Sequence, residues 1–527
     1  MDNISNWIDV HASFTPDKLA IIDQQRQHTY ADLAKAINTN AQMLQQSLDV
    51  EYGDRVAYLG LNDVEFICVL FACARIGAIF VPLNWRLETP EYDYILADAT
   101  PKALLVTPDF SHQVISLNSA HPKCAFVLQD VGCKSAAQTG LWHSYSALLR
   151  DTRAKASSAN NYKAYKAHNA HVNLSSKVII VYTSGTTGHP KGAVLDQNAL
   201  FYNALNSQHM HDMSNNDIIL TILPMFHVGG LNIQTLPALY VGATVILHAR
   251  FDPQHTLTAI GHHKPSLTVL VPATLSAMLA LPQWATADLT SLRSITSGSS
   301  LVPTDLIAAV ACRGLPVQQV YGLTETSPIA VYQTAQHAKT RFHSTGLPAL
   351  HCKMKLMRAN GEPVTVGQEE VGHILIKGPN VLCEYWANPD ATVLALQNGW
   401  FDTGDLGHLD NDGHLIVDDR AKDMIISGGE NIYPAQLEVH LNGLEGVLEA
   451  AVVGKKDAKW GETPIAIVVL APKSELDKKA ILKSFVGQLA RFKHPSDVIY
   501  MSVLPRNVMG KVQKFLLREM IEAPVKK

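Results

Sequence analysis

Cysteine is scarce in this chain. There are seven in 527 residues, and no two stand in a C-x-x-C arrangement. Cys68, Cys73, Cys124, Cys133, Cys312, Cys352 and Cys383 are scattered and odd in number. That argues against a disulfide framework or a cysteine zinc site and for free thiols in a reducing compartment. An excess of charge is missing too. The formal net charge is −4, so no strongly basic face is required and nucleic acid is not expected as a partner. No apolar run is long enough to cross a bilayer. The greasiest stretch, "FICVLFACARIGAIFVPL", is interrupted by Arg75 and reaches Pro82. It reads as a buried helix running into a strand, and no integral membrane segment is expected. "MDNISNWIDV" at the start has no basic n-region before an apolar stretch, and "APVKK" at the end has no lipidation signal. The cytoplasm is the expected compartment. The 23 histidines include near pairs at His168 and His171, His209 and His211, and His262 and His263. No further ligand follows them at a metal-site spacing, so they read as surface or loop histidines.

What is present is strand and helix in alternation. "DRVAYLG", "KALLVT", "KVIIVYT", "DIILTIL", "ATVILH" and "LTVLVPA" have the apolar, Val/Ile-rich texture of buried strands. Helical patterns such as "VEFICVLFACARIG" and "ALFYNALNSQHM" lie between them. This predicts an α/β architecture with mainly parallel sheet. The length exceeds what one core supports, so at least two domains are expected. Residues 151–176 are poor in large aliphatics and read as a loose surface connection. After about residue 410 the texture changes to charged turns, two strands and a helix. Ser474 is the expected cap of that helix, and Leu476, Ile481, Phe485 and Leu489 its apolar face. The boundaries predicted are a large domain over 1–419, a hinge at 420–424 and a small α+β domain over 425–527.

Four clusters carry chemistry. "YTSGTTGHPKGA" follows a strand, and its glycines free backbone N–H groups to cradle an anion. Thr183, Ser184, Thr186 and Thr187 add hydroxyls, Gly185 and Gly188 add freedom, and Lys191 adds charge. It is not a Walker loop, and Pro190 argues against a helix starting behind the lysine. In "VYGLTETSP", Tyr321 can cover a base, Gly322 breaks the strand, Thr324 can donate to phosphate and Glu325 can hold a hard cation. The plainer reading is a turn with a capping Thr. In "GWFDTGDLGHLDNDGHLIVDDRAKDMIISGGENIYPAQLE", Asp405 can accept from both ribose hydroxyls and Arg420 suits a ribose or phosphate. A charged hairpin would look the same. In "PRNVMGKVQK", Lys511 follows a glycine, while Lys514 reads partly as a solvated basic tail.

In this order the clusters resemble the adenylate-forming superfamily of acyl-CoA synthetases, coumarate-CoA ligases, insect luciferases and peptide-synthetase adenylation domains. The resemblance spans nearly the whole chain. It implies two α/β subdomains plus a distorted β-barrel, followed by a small mobile domain. It implies a carboxylate attacking the α-phosphate of ATP to give an acyl-adenylate, then a thiol, usually that of CoA, displacing AMP. On that pattern Thr183 to Lys191 hold the β- and γ-phosphates, Glu325 binds Mg2+ and Thr324 the α-phosphate. Asp405 and Arg420 fix the ribose, and Tyr321 with Ser297, Gly298 and Ser299 flanks the adenine. Lys511 bridges the carboxylate and the α-phosphate. The small domain swings about Lys422 to bring Gly428 and Gly429 to a pantetheine channel. His227 in "PMFHVGG" stands where relatives carry a gate beside the acyl pocket.

Some positions depart from the pattern: Asp196 and Gln197 replace a common Thr-His, "SGSS" replaces "GGAP", and Asn507 stands where Thr is frequent. Small residues at Gly229, Gly230, Ser297 and Gly298 leave room for a large acyl group. The resemblance to bacterial fatty-acyl-CoA and feruloyl/coumaroyl-CoA ligases implies a medium- or long-chain fatty acid or a phenylpropenoate. The partners implied are that acid, ATP and CoA, with the chain a monomer or homodimer. A carrier-protein thiol as acceptor, or an inactive nucleotide-binding relative, are the alternative readings.

Overall fold

The computed structural model describes residues 3–23, 26–129, 142–158, 171–183, 190–299, 302, 304–358, 360–367, 370–420, 425–432, 434–472, 474–505, 512 and 514–522. Two large sheets form most of it. One has eight strands in the order Glu384–Tyr385, Lys191–Asp196, Lys177–Thr183, Ile79–Leu83, Arg55–Leu59, Ala103–Val106, Ala125–Leu128 and His143–Ser144. From Lys177–Thr183 to His143–Ser144 neighbours are parallel. Ile79–Leu83 and Ala103–Val106 are buried at every residue, which is why they read as unbroken apolar runs. The greasy segment folds as expected. Asp63 caps the helix Val64–Ile76 by accepting from the Phe66 N–H, and Gly77 ends it before Ile79–Leu83.

The second sheet has nine strands, with Val317–Tyr321, Ser294–Ser297, Leu267–Val269, Ile218–Thr221, Thr244–Leu247 and Leu19–Asp23 adjacent and parallel. A third, five-stranded antiparallel sheet is bent by register shifts at His373/Leu375 and Leu406/Gly407. It stands where the distorted barrel is expected. Its strands Trp400–Leu409 and Leu415–Arg420 make the charged hairpin.

The last sheet holds Glu430–Ile432, Ile425–Ser427, Gly461–Leu470, Val447–Asp457 and Asp497–Tyr500, covered by Pro434–Asn442 and Lys478–Ser484. Ile481, Phe485 and Leu489 are buried in its core as expected. The cap, however, is Asp477, not Ser474: Asp477 Oδ1 accepts from the Ala480 N–H at 2.6 Å. A carboxylate directly before the first helical residue outcompetes a hydroxyl three positions earlier. A second correction concerns 151–176. The helix Tyr145–Ser158 occupies its first part. Tyr145 and Leu149 anchor it from upstream, with the Tyr145 hydroxyl donating to Asn40 and Glu65, and Thr152, Val172 and Ser176 are buried within the window.

The departures at Asp196 and Gln197 are structural. Asp196 caps Gln197–His211 through the Ala199 N–H, and Gln197 ties the Ile4 N–H to the Ala74 carbonyl. Among the described residues no helix is long and apolar enough to cross a membrane.

Candidate active site

The strand Lys177–Thr183 turns back antiparallel into Lys191–Asp196, with Thr183 opposite Lys191. Lys191 therefore opens a strand and not a helix, as Pro190 foretold. Ser184, Gly185, Thr186, Thr187 and Gly188 lie outside the described residues. The Lys191 ammonium stands over the Tyr385 ring, 5.6 Å from its centroid. The Tyr385 hydroxyl donates to Glu325 Oε1 at 2.8 Å. Tyr385 reaches this point because its short strand pairs with Lys191–Asp196, Tyr385 opposite Ala193.

Glu325 sits in the turn Thr324–Thr326 after the strand Val317–Tyr321. Only glycine fits at 322, where a Cβ would stand 1.6 Å from the Pro328 carbonyl oxygen. The plainer reading of this motif holds on Thr326, and Thr324 faces the cavity. Thr326 Oγ1 accepts from the Leu323 N–H at 2.9 Å and caps the turn. The Tyr321 hydroxyl donates to Asp405 Oδ2 at 2.8 Å, and Asp405 is buried. Asp405 pairs in register with Arg420 across the hairpin. Lys422 and Lys511 lie outside the described residues. Lys514 does not behave as a solvated tail; its ammonium pairs with Glu438 at 2.6 Å.

A cavity of about 680 Å³ gathers Thr183, His227, Gly229, Gly230, Ser299, Gly322, Thr324 and Glu325 with Gly428 and Gly429. Ser297, Gly298, Tyr321, Asp405 and Lys191 are not in its wall. Val228, Ile233, Val271 and Ala277 make one side apolar. The two gate glycines do different work. A Cβ on Gly230 would stand 2.3 Å from the Pro224 carbonyl oxygen, so this glycine serves backbone packing. A Cβ on Gly229 would have no neighbour nearer than Ser299 Oγ at 4.0 Å, so this position leaves cavity space. A smaller cavity beside it, about 80 Å³, is walled by Tyr182, Thr183 and Thr324 against Phe492 and Lys493 of the C-terminal part.

The C-terminal segment Gly428–Glu430 closes the cavity from one side. Gly429, in the left-handed region at φ 84°, brings its backbone against Val271. Glu430 pairs with Arg86 and lies 3.1 Å from His227 Nε2. Burial alone would raise its carboxyl, but His227, Arg86 and Lys493 outweigh that and hold it down at about 2. Arg86 also stacks over Trp85, 4.3 Å from the ring centroid. Glu430, Arg86 and Tyr385 are site residues that the motifs did not single out. Glu430 adjoins the glycines of "ISGGEN", the one signal that could have found it.

Among the described residues no group of three His, Cys, Asp or Glu side chains could hold a metal ion. A single buried carboxylate, Glu325, suits magnesium that draws its other ligands from phosphate and water.

The chain was compared with known proteins. Residues 8–386 match the family model described as AMP-binding enzyme, and residues 436–511 match its C-terminal domain. An indoleacetate–CoA ligase of Aromatoleum aromaticum is 45% identical over 98% of both chains. A feruloyl-CoA synthase of an Amycolatopsis species is 37% identical over 97% of both, and the long-chain-fatty-acid–CoA ligase FadD13 of Mycobacterium tuberculosis is 33% identical over 100% of both. Among solved structures, a double mutant of o-succinylbenzoate CoA synthetase from Bacillus subtilis, bound with a product analogue, superposes with a TM-score of 0.82 at 29% identity over 98% of each chain. The same enzyme in complex with its acyl-adenylate intermediate gives 0.66 at 30% identity over 98% of each.

Proposed function

The chain belongs to the AMP-binding enzyme family, and from that premise we propose that it is an ATP-dependent carboxylic acid–CoA ligase. In the first step a substrate carboxylate oxygen attacks the α-phosphorus of ATP; pyrophosphate leaves and a mixed anhydride, the acyl-adenylate, forms. In the second the CoA thiol loses its proton and attacks the acyl carbonyl; the C–O bond to AMP breaks and the thioester forms.

Two anions meet in the first step, so the site must neutralise charge and align the in-line attack. Thr183 through Gly188 and Lys191 hold the β- and γ-phosphates, and Thr324 donates to the α-phosphate. Tyr385 orients Glu325, which would hold Mg2+ with phosphate oxygens; the bound ion supplies charge neutralisation there. Asp405 and Arg420 take the ribose hydroxyls, with Tyr321 beside them, and Ser297, Gly298 and Ser299 flank the base. Lys511 bridges carboxylate and α-phosphate. The small domain, 425–527, turns about Lys422 in the hinge 420–424 between steps. The docking of Gly428, Gly429 and Glu430 against the cavity supports the second-step arrangement, as does the better superposition on the product-analogue complex.

The observation that carries this reading is the convergence of Thr183, Thr324 and Glu325 with His227 and Gly429 on one cavity. The acid is aromatic with a short side chain, an arylacetate or arylpropenoate. The indoleacetate and ferulate relatives support this, together with the open space at Gly229. A medium- or long-chain fatty acid is the second reading, supported by the FadD13 relative and the apolar wall. The cytoplasm remains the proposed compartment.

The test is a panel of indole-3-acetate, ferulate, fatty acids of graded length and acetate, each with ATP and Mg2+. CoA or a phosphopantetheinyl carrier protein is the acceptor, and AMP and pyrophosphate are measured. Aryl acids with CoA should turn over fastest. AMP from no acid at all, or from acetate alone, would overturn the reading.

A further inference from the structure

Outside the cavity the two parts of the molecule meet at a second charged contact. Glu91 lies in the first turn of the helix Thr89–Ala99 of the large part. Its Oε2 accepts from the Glu88 N–H at 3.1 Å, a bond within its own helix end. The other donors come from the C-terminal part. Lys493 Nζ stands 2.5 Å from Oε1, Gln436 Nε2 donates to Oε1 at 3.3 Å, and the Ala490 N–H donates to Oε2 at 2.9 Å. Both charged groups are buried, Glu91 at 8% exposure and Lys493 at 5%. The segment around Lys493 is wedged into the large part. Ala490 is fully buried in a cluster with Leu87, Tyr92 and Ile95, and Phe492 packs against that cluster.

We propose that Glu91 and Lys493 form a latch selecting the docking in which the thioester is made. They are positioning residues for the second step and not for the first. The inference rests on the ligase reading above. A buried ion pair adds little to stability, because desolvation offsets most of the Coulomb attraction. It does discriminate among arrangements. When the small domain rotates away, both groups regain water and neither is stranded in the core. When it docks slightly out of place, a carboxylate and an ammonium are buried without partners, which strongly disfavours that arrangement. The latch therefore narrows the docked state to one geometry, the one that sets Gly428–Glu430 against the cavity.

The experiment separates the half-reactions. Adenylate formation is read by acid-dependent ATP–pyrophosphate exchange, and thioester formation by mixing purified acyl-adenylate with CoA. Lys493→Met keeps the apolar stem and removes the charge; Glu91→Gln keeps the helix-end bond and the acceptor for Ala490. Each should leave exchange within about twofold and lower the thioester kcat by about tenfold, a population shift away from the competent docking. Because the two act as a unit, the double variant should be no slower than the slower single one. Unchanged thioester formation, or independent effects that multiply in the double variant, would overturn the latch. If Lys493→Met loses both half-reactions, Glu91→Gln decides: a split between steps sustains the latch, and parallel loss sinks it. Wild-type protein that makes no AMP from any acid instead sinks the ligase reading itself.

Discussion

The large part of the molecule and the small part present opposite kinds of surface to the shared cavity. The large part is fixed at the level of backbone. Gly322 and Gly230 sit where any side chain would strike a carbonyl oxygen, Thr326 caps the turn next to Gly322, and Asp63 and Asp196 cap the starts of two helices. The small part reaches the same cavity through Gly428 and Gly429, through ion pairs of Glu430 with Arg86 and Lys493 with Glu91, and through the Glu430–His227 hydrogen bond. Steric fit does not dissolve, whereas charged contacts exchange readily for water. The difference teaches that steric fit shapes the cavity, while the charged pairs select where the small part docks and still let it leave, as two chemical steps at one site require.

The largest effect should come from breaking the fixed side. Gly322→Ala drives a Cβ into the Pro328 carbonyl and should abolish both half-reactions, with a lower melting temperature. Next is the small part. Lys511→Ala should lower pyrophosphate exchange by about a hundred- to thousandfold, the loss of a charge at a developing transition state, and spare thioester formation from supplied acyl-adenylate. Equal loss in both steps would erase the division of labour. A graded effect is expected at Gly229. Since its Cβ would point into open space, Gly229→Ala should be tolerated, and Gly229→Val should raise KM for aryl acids by about tenfold relative to a short fatty acid.

The smallest effect would sharpen the comparison from the other direction. His211 is buried in the large part, hydrogen-bonded to Ser207 and Thr296, and burial lowers it from 6.5 to about 4. The unfolded chain takes up this proton more readily, so stability is full above the usual histidine value and falls as pH drops toward about 4. The melting temperature of wild type should fall more steeply across that interval than that of His211→Gln. Glu430, held at about 2, keeps its charge over the same range, so its pairing with Arg86 persists there.

Much of the large part was legible because its chemistry is written in residue types with few substitutes. A glycine that must be a glycine, an aspartate after a strand and a proline behind a lysine each carry a geometric meaning at short range. Thr324 and Glu325 line the cavity, while Asp405 is buried outside its wall against the Tyr321 hydroxyl. The departures at Asp196 and Gln197 became intelligible only in three dimensions, as a cap and a tether. Of the docking residues, Gly428 and Gly429 were marked by their motif, whereas the charged pairs were not legible. Glu91 and Lys493 are separated by 402 positions, and Arg86 and Glu430 by 344. Alone, Arg86, Glu91 and Lys493 look like ordinary charges on solvated surfaces. Ser474 misled for a related reason: a hydroxyl three positions before a carboxylate looks like a cap until the helix is seen to begin one residue after the carboxylate.

Arg86 and Glu91 lie five positions apart on one segment, yet they bind partners of opposite sign. That order of plus and minus works as a key with a single orientation. Approach from the reverse direction would set cation on cation and anion on anion, so misaligned encounters are repelled before they can be buried. Because the two members nearly cancel at long range, added salt should blur this directional sense of touch without changing how often the halves meet.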